Sequence, residues 1–96
     1  MIRSFADQAT ADVYVGLESR VARRIPKPLW PVVRRKLDVL HRAKSVSDLR
    51  LPSGNRLEAL KGSRVGRWSL RVNDQYRITF RFEEGHAHEV ACEDYH

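Results

Sequence analysis

The sequence contains little that would stabilise it covalently or anchor it in a membrane. Its 96 residues include a single cysteine, Cys92, so no disulfide can form within the chain and a reducing compartment is expected. No stretch approaches the roughly 20 apolar residues of a membrane-spanning helix. The first residues also lack the apolar core of a signal peptide. We therefore expect a cytoplasmic protein with no membrane association.

Acidic residues are also scarce. Twelve Asp and Glu stand against 18 Lys and Arg, which gives a formal net charge of +6 and a pI near 10.1. The basic residues concentrate in two zones, with nine in residues 20–44 and seven in residues 56–81, whereas five acids fall within residues 83–94. This balance indicates a polyanionic partner: nucleic acid, an anionic membrane surface or an acidic protein. A positively charged surface without such a partner is the alternative.

The first part of the chain predicts a strand and a helix. The length suits one domain spanning residues 1–96. Its first five residues have the pattern of a short opening strand. A helix is predicted to begin after Thr10, with Asp12 in its first turn and Val13 and Leu17 on one apolar face.

A second helix follows a segment that contains three of the four prolines. Proline is accepted in a first helical turn, so this helix is predicted to begin at Pro28 or Pro31 and to end near Lys44. Its apolar stripe has helical spacing and consists of Leu29, Val33, Leu37 and Leu40. The residues predicted to point away from the core are Arg34, Arg35, Asp38 and Arg42.

The rest of the chain predicts strands. A turn at residues 52–55 precedes a short strand and a basic loop, and residues 66–82 form a hairpin. Residues 86–96 read as a closing strand of simple alternation, with residues 87, 89, 91 and 93 on one face. The predicted fold is therefore α+β, with two N-terminal helices packed on a small twisted antiparallel sheet.

The hairpin "GRWSLRVNDQYRITFRF" gathers arginines on one face. Its apolar residues meet one core only if Asn73–Gln75 form a three-residue loop, which places Arg71 opposite Arg77 and Arg67 opposite Arg81. Opposed like charges are destabilising. One interpretation is that acids neutralise them, the candidates being Glu58, Glu89, Glu93 and Asp94. The other is a phosphate cradle, because guanidinium groups match phosphate oxygens and keep their charge.

The chain closes on Asp94, Tyr95 and His96, a carboxylate, a phenol and an imidazole. These groups are suited to proton transfer and base stacking, although a frayed polar terminus has the same composition. His86 and His88 have an H-x-H spacing. No dense set of ligands accompanies them, so no metal or other cofactor is predicted.

The segments "LKGSRVGRWSLRVNDQYRI" and the final "DYH" resemble the HigB-type toxins of the RelE/ParE superfamily, and the resemblance extends from end to end. It implies the α+β fold described above. It also implies a ribosome-dependent endoribonuclease that cleaves mRNA by metal-independent attack of the 2′-hydroxyl on phosphate. The implied partners are the ribosome, mRNA and a small helix-turn-helix antitoxin (HigA-like), with operator DNA contacted only through that antitoxin.

The resemblance also assigns roles to residues. Arg77 is implied to stabilise the phosphate, and Asp94, Tyr95 and His96 to form the C-terminal catalytic group. The implied RNA contacts are Lys61, Arg64 and Arg71. Glu58 stands where some relatives have a histidine, so it is either a weaker general base or an arginine partner.

Two questions stay open at this point. Superfamily members of ParE type inhibit DNA gyrase by binding, and an inactive RNA-binding module would show the same arginines. The basic residues 20–44 suit ribosomal RNA or an acidic face of the antitoxin equally well.

Overall fold

A computed structural model describes residues 1–51 and 53–95. Two helices pack on one face of a four-stranded antiparallel sheet whose strands follow chain order. The elements are α1 (Gln8–Val15), α2 (Trp30–Arg42), β1 (Glu58–Ala59), β2 (Arg67–Arg71), β3 (Tyr76–Glu83) and β4 (His86–Asp94). The predicted α+β fold is confirmed. Within the described ranges, no helix has the length and apolar character needed to cross a membrane.

Helix α1 begins earlier than predicted. Its N-cap is Asp7, whose Oδ1 accepts the main-chain N–H of Thr10 at 2.8 Å. Thr10 is buried inside the helix, and its Oγ1 accepts the N–H of Cys92 at 2.9 Å. The predicted face was also wrong, because Leu17 lies beyond the helix and is 55% exposed whereas Val13 is buried.

Helix α2 follows the prediction closely. A 3-10 turn at Lys27–Leu29 leads into it, Pro31 lies in its first turn, and it ends at Arg42. The apolar stripe is confirmed, since three of its residues are fully buried and Leu29 packs against them; the three are Val33, Leu37 and Leu40. Arg34 does not point away, because its Nε donates a hydrogen bond to the carbonyl of Val13 at 2.8 Å.

The β2–β3 hairpin has the predicted register. The N–H of Val72 donates to the carbonyl of Tyr76 at 3.0 Å, which leaves Asn73–Gln75 as the loop. The predicted arginine pairs are confirmed as Cα neighbours: Arg71 with Arg77, and Arg67 with Arg81. The alternation of the two strands therefore determines which side chains face the helices.

Strand β4 does not follow the predicted simple alternation. Between the pairs Thr79–Ala91 and Arg81–His88 it contains one residue more than β3, which makes a β-bulge. Glu89 lies in the bulge with φ 52°. The bulge reverses the inside–outside pattern, so the residues of this strand that lie in the apolar core are Ala87, Val90 and Cys92.

The N-terminal segment runs parallel to β4 and supports the bulge. The predicted opening strand is present only as two isolated bridges, which are Ile2–Ala87 and Phe5–Val90. Between them, Ser4 Oγ accepts the N–H of Glu89 at 2.9 Å. The main-chain N–H of Glu89 in the bulge thus has a hydrogen-bond acceptor.

The face of the sheet opposite the helices is covered at its centre. Ser69 and Thr79 are fully buried there and Arg77 is 8% exposed. When helices cover only one face of a sheet, the residues on the opposite face are normally exposed to solvent. Other parts of the chain therefore cover the centre of this face.

Candidate active site on the outer face of the sheet

The guanidinium of Arg77 lies at the centre of the outer face. Its Nε donates to Ser69 Oγ at 2.8 Å and its Nη2 donates to the carbonyl of Arg56 at 2.5 Å. A second contact of Nη2 reaches the carbonyl of Ser69 at 3.4 Å. These bonds fix the plane of the guanidinium before any ligand arrives.

Two further groups flank this guanidinium. Glu58 Oε1 lies 3.6 Å from Arg77 Nη1, and the ring centroid of Tyr95 lies 5.5 Å from Arg77 Cζ. The second distance is that of a cation–π contact. Within residues 1–51 and 53–95, Nη1 donates no hydrogen bond. Nη1, beside the Glu58 carboxylate, is thus where a ligand would meet Arg77.

A second charged cluster lies beside the first. Arg64 donates from Nη1 and Nη2 to the two carboxylate oxygens of Glu93 at 3.0 and 2.8 Å. Thr79 Oγ1 donates to Glu93 Oε2 at 2.6 Å. Burial raises the pKa of the Glu93 carboxyl, but the bonds from Arg64 and Thr79 outweigh burial and hold that pKa below its ordinary value. The hydrogen bond to Glu93 raises the pKa of Arg64.

Arg71 is neutralised within its own hairpin. Its Nη2 lies 2.6 Å from Oδ1 of Asp74, whose side chain is 98% exposed. The hydrogen bond from Arg71 lowers the pKa of Asp74, so this carboxylate stays ionised at neutral pH. Asp74 was not among the predicted acid partners, although its separation of three residues from Arg71 across a tight loop favours the contact.

The remaining hairpin arginines pair with local groups. Arg81 contacts Glu83 and lies 3.1 Å from Oε1 of Glu89, while Arg67 donates to the main-chain carbonyl of Glu89 at 2.9 Å. Among the acids proposed to neutralise the hairpin, Glu58 and Glu89 do so, whereas Glu93 binds Arg64 instead. Neutralisation by the predicted acids therefore holds for Arg81 and, in part, for Arg77, while Arg71 is neutralised by Asp74, which was not predicted.

The structure brings three of the predicted site residues next to Arg77. Glu58 and Tyr95 each contact Arg77, and Arg71 is the neighbour of Arg77 across the hairpin. Lys61 is exposed just before the 3-10 turn Gly62–Arg64. The prediction for His96 lies outside the described residues.

Two groups that hold Arg77 were not predicted. Ser69 is a small polar residue between arginines, a signal that was visible in the strand pattern. The carbonyl of Arg56 has no signature in sequence, because any residue supplies a carbonyl. Asp94 was predicted as catalytic, and its Oδ2 accepts a hydrogen bond from Gln75 at 2.9 Å.

The basic residues 20–44 divide into two groups. Several form ion pairs within the chain, which are Arg23 and Lys27 with Glu18, and Arg24 with Asp7. Lys36 donates to Asn55 Oδ1 at 2.5 Å, and burial followed by the charges of Arg35 and Arg71 lowers its pKa. In the described part of the chain, exposed Arg35 and Arg42 have no ion pair.

A cleft of about 210 Å³ lies between the end of α1 and the start of α2. Its lining consists of Gly16, Glu18, Lys27, Trp30, Pro31 and Arg34. Among the predicted site residues that the structure describes, none lines this cleft, and its Lys27 and Glu18 already pair at 2.7 Å. The outer face of the sheet therefore remains the candidate site.

Known structures define the class of this fold. A YafQ variant from E. coli superposes with a TM-score of 0.66 at 15% identity, covering 99% of this chain and 92% of that one. The YoeB–YefM complex from Staphylococcus aureus gives 0.62 at 17% identity, covering 100% and 98%. At these identities the likeness establishes a shared fold.

Sequence comparison identifies the family. The model described as the RelE-like toxin of type II toxin-antitoxin system HigB matches residues 3–96, and the chain belongs to this family. Toxin HigB-1 of Vibrio cholerae is 46% identical over 63 residues, which are 66% of each chain. Endoribonuclease HigB of Proteus vulgaris is 31% identical over 96 residues, the full length of both. The family predicted from the sequence is confirmed.

Proposed function

We propose that this toxin is an endoribonuclease that cleaves mRNA in the decoding site of the ribosome. The observation that carries the proposal is the buried guanidinium of Arg77, which is fixed by Ser69 and Arg56 and is also contacted by Glu58 and the ring of Tyr95. The full-length relative from Proteus vulgaris, named an endoribonuclease, supports it.

In the proposed reaction, the 2′-oxygen forms a bond to the adjacent phosphorus and the bond from phosphorus to the 5′-oxygen breaks. A base takes the proton of the 2′-hydroxyl, and an acid returns a proton to the leaving 5′-oxygen. The products are a 2′,3′-cyclic phosphate and a 5′-hydroxyl. Extra negative charge develops on the phosphoryl oxygens, and a guanidinium that is already oriented stabilises it without further reorganisation.

Arg77 supplies this stabilisation through its Nη1 edge. Glu58 is the candidate base, because its exposed carboxylate lies 3.6 Å from that edge. We assign the acid step to His96 on the family resemblance alone. Asp94 belongs to the same C-terminal group, and Tyr95 offers a ring that is 41% exposed for stacking on a base.

The RNA contacts follow from charge and exposure. Lys61 is exposed, and the ion pair of Arg71 within residues 1–51 and 53–95 is with the almost fully exposed carboxylate of Asp74, so both groups suit phosphate binding. Arg64 reaches RNA only if it exchanges Glu93 for a phosphate. Exposed Arg35 and Arg42 offer further basic surface for ribosomal RNA or for an acidic face of the antitoxin.

The family is one of toxins paired with antitoxins. We propose that the partner of this chain is a helix-turn-helix antitoxin, and that operator DNA is bound through that antitoxin. A toxin that acts on translating ribosomes works in the cytoplasm.

A translation assay tests the nuclease. A defined message is translated with ribosomes and added protein, and its 5′ ends are mapped. New ends in frame with the codons are expected, and they disappear with Arg77→Ala and with deletion of His96. Arg77→Lys keeps the charge but loses the planar fork and is expected to be severely impaired. Arg81→Ala is the matched control, since Arg81 lies on the same strand and binds Glu83 and Glu89.

Intact messages together with loss of gyrase supercoiling would show that the protein is a non-enzymatic inhibitor. RNA binding without either effect would leave an RNA-binding module. Loss of cleavage in Arg81→Ala equal to that in Arg77→Ala would contradict the central role of Arg77.

A further inference from the structure

The loop of the β2–β3 hairpin holds the C-terminal end of the described chain. The main-chain N–H of Tyr95 donates to the carbonyl of Gln75 at 2.7 Å. The side chain of Gln75 donates from Nε2 to Asp94 Oδ2 at 2.9 Å. One residue of the loop thus makes two bonds to two successive residues of the tail.

The loop itself is well fixed. Asn73 Oδ1 accepts the N–H of Gln75 at 2.9 Å and the N–H of Tyr76 at 2.7 Å. The carbonyl of Tyr76 accepts the N–H groups of Val72 and Asn73 at 3.0 and 3.2 Å. Side-chain bonds of this kind from asparagine stabilise tight turns. Gln75 is therefore presented from a rigid support.

The tail has little other main-chain support at this point. The β3–β4 ladder ends with the pair Tyr76–Asp94, so residue 95 lies beyond the last strand pair. Backbone beyond the last hydrogen-bonded pair of a sheet opens easily unless another group holds it. The Gln75 carbonyl continues the pairing by one residue, and the ring of Tyr95 then lies over Arg77.

We infer that Gln75 is a positioning residue that holds Asp94 in register with Tyr76 and the ring of Tyr95 over Arg77. The inference rests on the proposed function only in that the tail is taken to act on RNA. The amide side chain suits this role because its NH₂ donates to a carboxylate without adding charge. Gln75 is exposed and contributes nothing to the core, so its substitution tests positioning separately from folding.

The first experiment follows the tail without any substrate. NMR of the intact chain compares wild type, Gln75→Ala and Gln75→Glu through the Tyr95 amide exchange rate and ring shifts. Gln75→Ala keeps the carbonyl contact but loses the bond to Asp94, so exchange of the Tyr95 amide is expected to rise about tenfold. Gln75→Glu places two carboxylates together, and its spectrum is expected to return toward wild type as acidification protonates them.

Gln8→Ala is the matched control. It removes the other glutamine of the chain, whose Nε2 donates to Asp12 Oδ1 at 2.7 Å on α1, away from the tail. It is expected to leave the Tyr95 signals unchanged. Unchanged Tyr95 signals in Gln75→Ala would overturn the inference whatever the activity of the protein.

The second experiment measures RNA cleavage on ribosomes. Gln75→Ala is expected to reduce kcat about tenfold with little change in KM, because a misplaced tail impairs the chemical step more than binding. A change in KM alone would contradict positioning and indicate direct contact with RNA. If wild type does not cleave RNA, the proposed function fails, and the NMR result still decides whether Gln75 holds the tail.

Discussion

Arg64 and Glu93 meet through two parallel hydrogen bonds of 3.0 and 2.8 Å, from both terminal nitrogens to both carboxylate oxygens. The pair joins the basic turn Gly62–Arg64 to β4, and Thr79 completes it from β3. Paired forks of this kind are the stronger class of ion pair. The basic loop is therefore tied to the sheet by the same arginine that the family resemblance assigns to RNA.

Glu93→Gln tests the strength of this connection. At pH 7 we expect the free energy of unfolding to fall by about 1 kcal/mol, since the pair is partly exposed. The pKa of Glu93 is lowered in the folded state, so its contribution is present above its unfolded pKa and is lost as the pH falls through the folded pKa. Urea unfolding of wild type and Glu93→Gln at pH 7 measures the loss of stability, and the same experiment below pH 4 measures how much of that loss depends on the ionised carboxylate.

The difference in the free energy of unfolding between wild type and Glu93→Gln should accordingly become smaller as the pH falls. A difference that stayed constant with pH would mean that the carboxylate charge contributes nothing. Glu84→Gln, at an exposed residue of the β3–β4 turn, is the control for loss of a negative charge.

Substitutions of Arg71 and of its partner Asp74 are predicted to change RNA affinity in opposite directions. Asp74→Ala releases Arg71 from its carboxylate, so affinity for a short single-stranded RNA is expected to rise about threefold. Arg71→Ala is expected to weaken binding and to reduce the slope of log K against log salt by about 0.7. Fluorescence anisotropy over a salt series measures both quantities.

Asp38→Ala controls for net charge, because Asp38 is an exposed acid on α2. If it strengthened binding as much as Asp74→Ala, the effect would be one of overall charge. An unchanged salt slope in Arg71→Ala would remove Arg71 from the RNA contacts.

Ser69→Ala tests how the central arginine is held. Ser69 is fully buried, and its hydroxyl accepts the Nε–H of Arg77 at 2.8 Å. Leaving that donor without a partner is expected to lower the free energy of unfolding by about 1–3 kcal/mol and to reduce RNA cleavage. Urea unfolding and end mapping measure the two effects. Ser47→Ala, at an exposed serine, should change neither.

The hairpin register could be predicted from the alternation of apolar and polar residues in β2 and β3. The apolar residues of both strands face the same core only if the loop between them has three residues. The same logic failed for β4. The sequence of that strand is compatible with simple alternation, and the bulge at Glu89 depends on Ser4, which lies 85 residues away along the chain. Local pattern carries no information about such a partner.

The start of α1 shows a similar limit. Asp7 and Thr10 are both favourable caps and lie three residues apart, so local rules do not separate them. Asp7 is the N-cap and Thr10 lies within the helix, where its hydroxyl oxygen accepts the N–H of Cys92. At the site, Arg77 was predictable from residue type, whereas the carbonyl of Arg56 that holds it was not.

The buried thiol of Cys92 reports whether β4 unfolds locally or only together with the whole protein. Burial raises the pKa of its thiol to about 12, so at pH 8 almost no thiolate is present and reagents have no access. Alkylation is expected to be about a thousandfold slower than for an unfolded peptide thiol of pKa about 8.5. The rate should follow global unfolding across a urea series. Rapid labelling in the native protein would mean that β4 opens locally.

Gly85, in the turn between β3 and β4, and Gly54, in the 3-10 turn Ser53–Asn55, are predicted to respond differently to substitution by alanine. Gly85 has φ 80°, and a Cβ there would lie 3.3 Å from the carbonyl oxygen of Lys44. Gly85→Ala is therefore expected to lower the free energy of unfolding by at least about 1 kcal/mol, or the melting temperature by about 4–8 °C. Gly54 has no atom within 4 Å of its added Cβ and no positive φ. Gly54→Ala should be neutral or slightly stabilising, because it restricts the unfolded chain. Thermal unfolding of both variants checks the turn, and equal losses would contradict its left-handed geometry.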